Sequence, residues 1–203
     1  THPTDVIDPI LDFPLIAKLN EVHGSLEIKE NSVCDDEKQL RQKISFLMNS
    51  YHQPVLVEEY IVGKEVTAIV LEGANTKVYT AEKIFSPEKY KQKYQIVTFD
   101  DIFRDPQNTA FSYQKYELPP RAHQQIKKAF EILKMDDYAK FDLRVDASDR
   151  HYLIDCNANP AIGPKDCAIS NILRLYDISF EEILKRIIKN TLNGKTVDFK
   201  ELV

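Results

Sequence analysis

The sequence predicts an α+β protein built in two layers, and three observations carry that prediction. Runs with apolar–polar alternation occur in neighbouring pairs joined by short polar turns, the pattern of antiparallel strands. Apolar stripes at helical spacing fall between and after those pairs instead of following every single strand. Neither glycine-rich phosphate loop of parallel nucleotide-binding sheets, G-x-G-x-x-G or G-x-x-x-x-G-K-[ST], is present.

In chain order, FPLIAKL (13–19) reads as a short buried strand carrying Lys18 near its end. SLEIKE (25–30) reads as a second strand, with NEVHG (20–24) as the loop between them. From Asp35 or Asp36 to about Ser50, Leu40, Ile44, Leu47 and Met48 share one helical stripe behind an acidic N-cap. PVLVEEY (54–60) and EVTAIVLEG (65–73) are strands separated at Gly63, and the turn GAN (73–75) leads into TKVYTAEKI (76–84), predicting an antiparallel pair. Residues 85–118 read as irregular and polar-aromatic, a length that points to function or mobility. A helix opens near PPRAHQQ (119–125) with Ile126, Ala129, Phe130 and Leu133 as its stripe, and KFDLRVDASDRHYLIDCNANP (140–160) follows as a hairpin. The last helix opens on a capping box, Ser179 with Glu182. It carries Phe180, Ile183, Leu184, Ile187 and Ile188 on one face and stops at Gly194.

Bulk properties narrow the class. The 203 residues are 43% hydrophobic and 29% charged, an ordinary globular composition for one large domain or two tightly joined lobes. A net charge of −5 argues against binding to nucleic acid phosphates, and no apolar run approaches the roughly 20 residues that span a bilayer. Cys34, Cys156 and Cys167 are odd in number and lack C-x-x-C spacing, and the five His are scattered. That argues against a disulfide framework and against zinc, and predicts a reducing cytoplasm. Cys156 is expected in the core, on the apolar side of its strand. The chain opens THPTDVIDPI without an initiator Met, so it is expected to be a piece of a longer protein.

The hairpin carries the chemistry. Phe141, Leu143 and Val145 share one side of its first strand, and Tyr152, Ile154 and Cys156 one side of its second. Lys140, Asp142, Arg144 and Asp146 fall on the opposite face with His151, Leu153, Asp155 and Asn157. A two-residue turn at Ser148-Asp149 would set Asp142 across from Asp155 and Lys140 across from Asn157. Facing carboxylates repel, and a shared cation resolves that conflict. Two carboxylates and the Asn157 amide oxygen are donors that Mg²⁺ accepts. The same pattern also fits a hairpin whose polar face is simply wet, with Lys140 and Arg144 neutralising the acids.

PVLVEEYIVGKEVTAIVLEG, followed at a distance by YAKFDLRVDASDRHYLIDCNANP, resembles the ATP-grasp domain of the D-alanine–D-alanine ligase family. Lys18 upstream and the capped helix downstream stand in the same order, and the likeness runs from about Phe13 to Asn193. The resemblance implies an ATP-grasp fold, two lobes with largely antiparallel sheets and the nucleotide between them. Residues 1–62 would form the small lobe and 63–203 the large lobe with the metal-binding hairpin and C-terminal helices, the family's N-terminal domain being apparently absent. It implies ATP with one or two Mg²⁺, Mn²⁺ being an alternative. Lys18 would reach the nucleotide phosphates, with Ser25 in the loop that closes beside them. Glu58, Glu59, Tyr60 and Ile61 would form the connector that reads the adenine edge, and Glu65 would accept from the ribose hydroxyls. Asp142, Asp155 and Asn157 would hold the metal, and Lys140 and Arg104 would be the catalytic cations.

Three departures from the family pattern stand out. Lys140 occupies the position of an arginine, two residues before the first metal carboxylate, and lysine lacks the planar guanidinium fork. Glu27 occupies the position of a loop glycine. Ile102 occupies the position of a phosphate-binding lysine, for which Arg104 or a lysine of EKYKQKY (88–94) could substitute. In the substrate loop AIGPKDCAIS (161–170), Lys165 could pair with a carboxylate whereas Asp166 would repel one. The leading expectation is a cytoplasmic carboxylate–amine ligase that forms an amide or peptide bond through an acyl phosphate. Its partners would be small-molecule carboxylates and amines, with no nucleic acid or membrane partner; a homodimer is compatible. A catalytically weakened ATP-binding module and an ATP-grasp small-molecule kinase stay open as alternatives.

Overall fold

The computed structural model describes residues 2–194 except 74, 89, 90, 106–108 and 166. Ala74 of the GAN turn, Lys89 and Tyr90 of EKYKQKY, and Asp166 therefore lie outside the described residues. The chain divides into two units, 1–62 with 85–112, and 63–84 with 113–203. By its contacts, 85–112 groups with 1–62, although the expected large lobe of 63–203 includes it.

In the first unit, β1 (Leu15–Leu19) runs antiparallel to β2 (Val33–Cys34) and to β3 (Val55–Glu59), in the order β2-β1-β3. Leu15, Ala17 and Leu19 point inward as period two requires, and meet Leu40, Ile44 and Leu47 of α1 (Glu37–Tyr51). Asp36 caps that helix by accepting from the Gln39 N–H at 2.8 Å. The strand expected over 25–30 does not form. Ser25 and Glu27 both take left-handed backbone (φ +58° and +59°), and the Ile28 N–H closes a turn onto the Ser25 carbonyl at 2.9 Å. A single 3₁₀ turn at Glu30–Ser32 then leads into β2. Within the expected irregular segment lies α2 (Phe99–Phe103), capped by Thr98, and the segment runs into β6 (Phe111–Lys115). At five residues, α2 is too short to leave a helical signature.

In the second unit, β4 (Lys64–Leu71) pairs antiparallel with β5 (Lys77–Phe85) and with β7 (Tyr138–Val145), which pairs antiparallel with β8 (His151–Asn157). With β6 at one edge the sheet order is β6-β5-β4-β7-β8. The α+β class follows from these antiparallel sheets and the helices packed on them. One face of the sheet, Val66, Ala68, Val70, Ala139, Phe141 and Val145, packs on Ala122, Ile126 and Phe130 of α3 (Pro120–Ile132). The other face, at Ile69, Leu71 and Ala81, packs on α4 (Ala168–Arg174) and on α5 (Phe180–Gly194) through Ile169, Ile172, Leu173 and Ile183. Leu133, expected on the buried stripe of α3, is instead its C-terminal cap and half exposed. On α5 only the edge through Phe180, Ile183 and Ile187 meets this core, so Leu184 and Ile188 are rotated out to solvent. Gly63 opens β4 with φ +150°, and a Cβ there would lie 1.9 Å from the Val145 carbonyl oxygen. Only glycine lets the start of β4 pass this close to the end of β7.

The hairpin joining β7 to β8 keeps the expected pairing by an unexpected route. Its turn is longer than two residues: Val145 pairs with His151, the Asp146 N–H donates to the Arg150 carbonyl, and Asp149 takes the left-handed conformation (φ +59°). A bulge between Asp142 and Leu143 then leaves Ile154 without a direct partner, and Asp142 again faces Asp155. Between the bulge and the turn the two sides of β8 are exchanged relative to the sequence reading. Tyr152 joins Arg144 on the polar face, while His151 and Leu153 join Val145 and Leu143 on the other. Cys156 is exposed on this edge strand, not buried as expected.

Candidate functional site

Directly paired residues of neighbouring strands share a face, so the register lays three rungs of side chains across one face of the larger sheet. In the first, Glu65 of β4 faces Arg144 of β7, which faces Tyr152 of β8. In the second, Ala81, Thr67, Asp142 and Asp155 follow one another across β5, β4, β7 and β8. In the third, the order is Tyr79, Ile69, Lys140 and Asn157. The third rung runs into the apolar core under α4 and α5, which Ala81 of the second also joins, and the rest of the first two is polar.

Apart from Asp155, the charges on the first two rungs are buried and paired. Glu65, Asp142 and Arg144 are all buried, and the Lys83 side chain of β5 is as well enclosed as that of Glu65. The Glu65 carboxylate accepts from Lys83 Nζ through Oε1 and from Arg144 Nη1 through Oε2 at 3.3 Å, while Arg144 Nη2 donates to the Gly63 carbonyl at 3.0 Å. Asp142 Oδ1 accepts from the Thr67 hydroxyl at 2.8 Å and lies 3.9 Å from Lys83 Nζ, and its Oδ2 accepts from Lys140 Nζ. Burial alone would raise the Asp142 pKa, but Lys83 and Lys140 outweigh it and hold the carboxyl below the usual range. Burial pulls Lys83 down, and the opposing pull of Glu65 and Asp142 leaves its ammonium well above the ordinary lysine value. Tyr113 is pushed up to about 12, chiefly by burial and against the attraction of Lys83. An ion cluster this dry persists only with every charge compensated.

At the exposed edge of the same face stand Asp155 and Asn157, and Asn157 Oδ1 accepts from the Asn159 N–H at 3.0 Å. Asp155, Asn157 and Asp142 offer hard oxygens of the kind that Mg²⁺ prefers, and two carboxylates with an amide are within its usual demand. Lys140 already uses Asp142 Oδ2, so a bound cation and this ion pair would draw on the same carboxylate. Among the described residues no three His, Cys, Asp or Glu gather into a metal-binding group, and the set here includes only two such residues.

The residues singled out in the first unit fall into separate local arrangements. Lys18 pairs with Glu58 across β1 and β3, near the Ile16–Glu58 pairing. Glu59 Oε1 accepts from the Asp12 N–H at 2.9 Å. Tyr60 is buried against Val33, Ile96 and Tyr94, its hydroxyl donates to the Gln95 carbonyl at 2.5 Å, and its N–H donates to the Pro14 carbonyl at 2.8 Å. Ile61 is half-buried, and Ser25 is in the left-handed turn. Arg104, at the end of α2, pairs with Asp100 at 3.2 Å and lies over the Phe99 ring. Of the whole predicted set, Glu65, Lys140 and Asp142 are brought into one bonded cluster, with Asp155 and Asn157 on its rungs. Sequence reasoning missed Lys83 and Thr67. Lys83 was within reach: a turn centred on residue 74 pairs 65 with 83, opposing a glutamate and a lysine.

A family model for the D-ala D-ala ligase C-terminus matches residues 4–189. The chain belongs to that family. The D-alanine–D-alanine ligase of Hydrogenovibrio crunogenus is 23% identical over 192 residues, covering 95% of this chain and 58% of the relative. Two solved structures share the fold. The D-alanine–D-alanine ligase of Bacillus anthracis complexed with ATP superposes with a TM-score of 0.62 at 19% identity, over 94% of this chain and 58% of that one. The VanG D-Ala:D-Ser ligase of Enterococcus faecalis gives 0.61 at 20% identity, over 89% and 50%. The fold is therefore the ATP-grasp of the D-Ala–D-Ala ligase family. The chain spans about half the length of the curated relatives it matches. Among the described residues no helix is long and apolar enough to cross a membrane.

Proposed function

We propose that this chain supplies the nucleotide- and metal-binding part of a cytoplasmic ATP- and Mg²⁺-dependent ligase that joins a small-molecule carboxylate to an amine. The observation that carries the reading is the β7–β8 register, with Asp142 opposite Asp155 and Lys140 opposite Asn157, in a chain of this family. The ATP complex of the Bacillus anthracis ligase supports ATP as the nucleotide. The D-alanine and D-serine chemistry in the relatives' names supports amino acids as the substrate class.

In this reading Lys18 meets the nucleotide phosphates as a point charge, the backbone of Glu58 to Ile61 reads the adenine edge, and Glu65 accepts from the ribose hydroxyls. Asp142, Asp155 and Asn157 hold one or two Mg²⁺, which when bound neutralise charge on the phosphates. A substrate carboxylate oxygen attacks the γ-phosphorus, the bond to the ADP oxygen breaks, and an acyl phosphate forms. The amine nitrogen then attacks the acyl carbon, phosphate leaves with the electron pair, and the amine loses a proton to give the amide. In the same reading Lys140, two residues from Asp142 on the same face, supplies the positive charge toward the oxyanion of that second step, without the planar fork of an arginine. Thr67 and Lys83 keep Asp142 ionised and oriented, so little reorganisation is needed during reaction.

The test is turnover by the full-length protein with ATP, Mg²⁺ and a panel of D-amino acids, reading ADP release and the amide product by mass spectrometry. ADP and amide should appear in equal amounts, and only when metal and both substrates are present. Absence of any Mg²⁺-dependent ATP binding would sink the proposal. A second reading, a weakened ATP-binding module, is favoured by Glu27 at the glycine position and by Lys140 tied to Asp142. Binding of ATP without turnover on any substrate pair would select it.

A further inference from the structure

We infer that Lys83 is a positioning residue that couples the ribose end of the nucleotide site to its metal end. The inference rests on the nucleotide reading above and adds to it a residue outside the sequence motifs. Lys83 is one residue beyond the Val66–Glu82 pair, and its ammonium bonds Glu65 Oε1 and lies 3.9 Å from Asp142 Oδ1. One buried cation thus serves two carboxylates on different strands.

The partners of each acid define what Lys83 alone contributes. Arg144 holds the other oxygen of Glu65, and Lys140 and Thr67 hold Asp142. Charge balance therefore survives loss of Lys83 better than geometry does. Without it, Glu65 keeps one restraint and can rotate about its terminal torsion, which is broad for a carboxylate. A carboxylate that must accept ribose hydroxyls is then no longer pre-oriented, and the selectivity that comes from those hydroxyls falls. A residue that only stabilised the sheet would weaken ATP and 2′-deoxy-ATP binding equally.

The experiment is equilibrium binding of ATP and of 2′-deoxy-ATP to the full-length protein in Mg²⁺, for wild type, Lys83→Met and Lys83→Arg. A charge-assisted hydrogen bond to a ribose hydroxyl should give the wild type a preference for ATP of about tenfold or more. Lys83→Met should bring that ratio down to about one to three, with a several-fold rise in the Mg²⁺ concentration needed for half-maximal ATP binding. Lys83→Arg, which keeps the charge with altered geometry, should fall between. A ratio unchanged in Lys83→Met overturns the inference. Should Lys83→Met fail to fold, judged by its melting curve without nucleotide, Lys83→Arg decides: an unchanged ratio there overturns it as well. Failure of the wild type to bind either nucleotide would instead overturn the nucleotide reading itself, which keeps the two failures apart.

Discussion

Asp142 and Asp155 face each other across the β7–β8 ladder, one buried among three polar partners and the other open to solvent. That asymmetry separates stability from function within a single pair. Asp142→Asn leaves Lys83 and Lys140 without their shared counter-charge in a dry setting, where breaking a buried pair costs about 3 kcal/mol or more. Asp155→Asn removes an exposed charge and should change stability by about 0.5 kcal/mol or less. Urea unfolding of the two variants should therefore differ clearly. Both should abolish the Mg²⁺-dependent part of ATP stabilisation, which for a ligand at about 100 times its Kd is about 2.7 kcal/mol. Equal destabilisation by the two substitutions would contradict the burial argument.

Acid should loosen the β7–β8 turn through Asp146. Its carboxylate accepts from the N–H groups of Arg150 and Ser148 at 3.0 and 2.8 Å, from Arg150 Nε at 2.7 Å and from the Tyr152 hydroxyl at 3.2 Å. The Arg150 backbone bond is the largest influence, and with the others it holds the Asp146 pKa at about 2. A depressed folded-state value means that the group's stabilisation is complete above the unfolded value of about 4 and is lost as pH falls toward 2. NMR titration of the Asp146 carboxyl should give a midpoint near that low value. Asp146→Asn should flatten the acid dependence of amide exchange in the turn.

The three thiols should react in a fixed order. Cys156 is exposed on the edge strand, Cys167 is half-buried and its thiol donates to the Gly163 carbonyl at 3.4 Å, and Cys34 is buried. Burial also pushes the Cys34 pKa up, so thiolate is scarce as well as inaccessible. Iodoacetamide under native conditions, followed by peptide mass spectrometry, should modify Cys156 first and leave Cys34 unmodified. Rapid native labelling of Cys34 would contradict the placement of β2.

How far the sequence reveals this molecule depends on the range of the forces involved. Alternation in 138–157 and 64–85 marks strands that pack on a core, and such burial leaves a period-two signature. The Asp142–Asp155 pairing was legible, although two local details cancelled: a longer turn moved the register one way and the bulge at Ile154 moved it back. The same cancellation was invisible for Tyr152 and His151, whose sides depend on where the bulge sits, whereas Cys156 keeps its expected side and is exposed because β8 is the edge strand. SLEIKE alternates like a strand, but left-handed backbone at Ser25 and Glu27 turns the chain there, and alternation says nothing about φ. α2 and α4 are five and seven residues long, no more than two turns and too few for a helical period to register. Lys83 reads as an exposed lysine until its pairing partner is worked out, because a buried ion pair is a property of two strands and not of one.

Glu27 offers the sharpest test of whether its loop stands beside the phosphates. The residue sits at φ +59°, a conformation that costs an L-residue about 1 kcal/mol and glycine almost nothing. Its side chain pairs with Lys29, which is well exposed, so that pair contributes roughly 0–1 kcal/mol. Its carbonyl accepts from Lys43 Nζ and from the Ser32 hydroxyl, both at 3.3 Å, and these bonds do not need the side chain. Glu27→Gly therefore relieves strain, loses one weak ion pair and the hydrogen bond from the Tyr51 hydroxyl, and keeps the turn, for a net change in stability within about 1 kcal/mol. It also removes a negative charge from the loop that the proposed function sets beside the phosphates. ATP affinity should then rise several-fold, most at low ionic strength where such repulsion is least screened. Glu27→Ala separates the two effects, since it removes the charge and keeps the strain. An affinity gain in both variants assigns the effect to charge, and a gain in the glycine variant alone assigns it to backbone freedom. Unchanged affinity in both would place this loop away from the triphosphate.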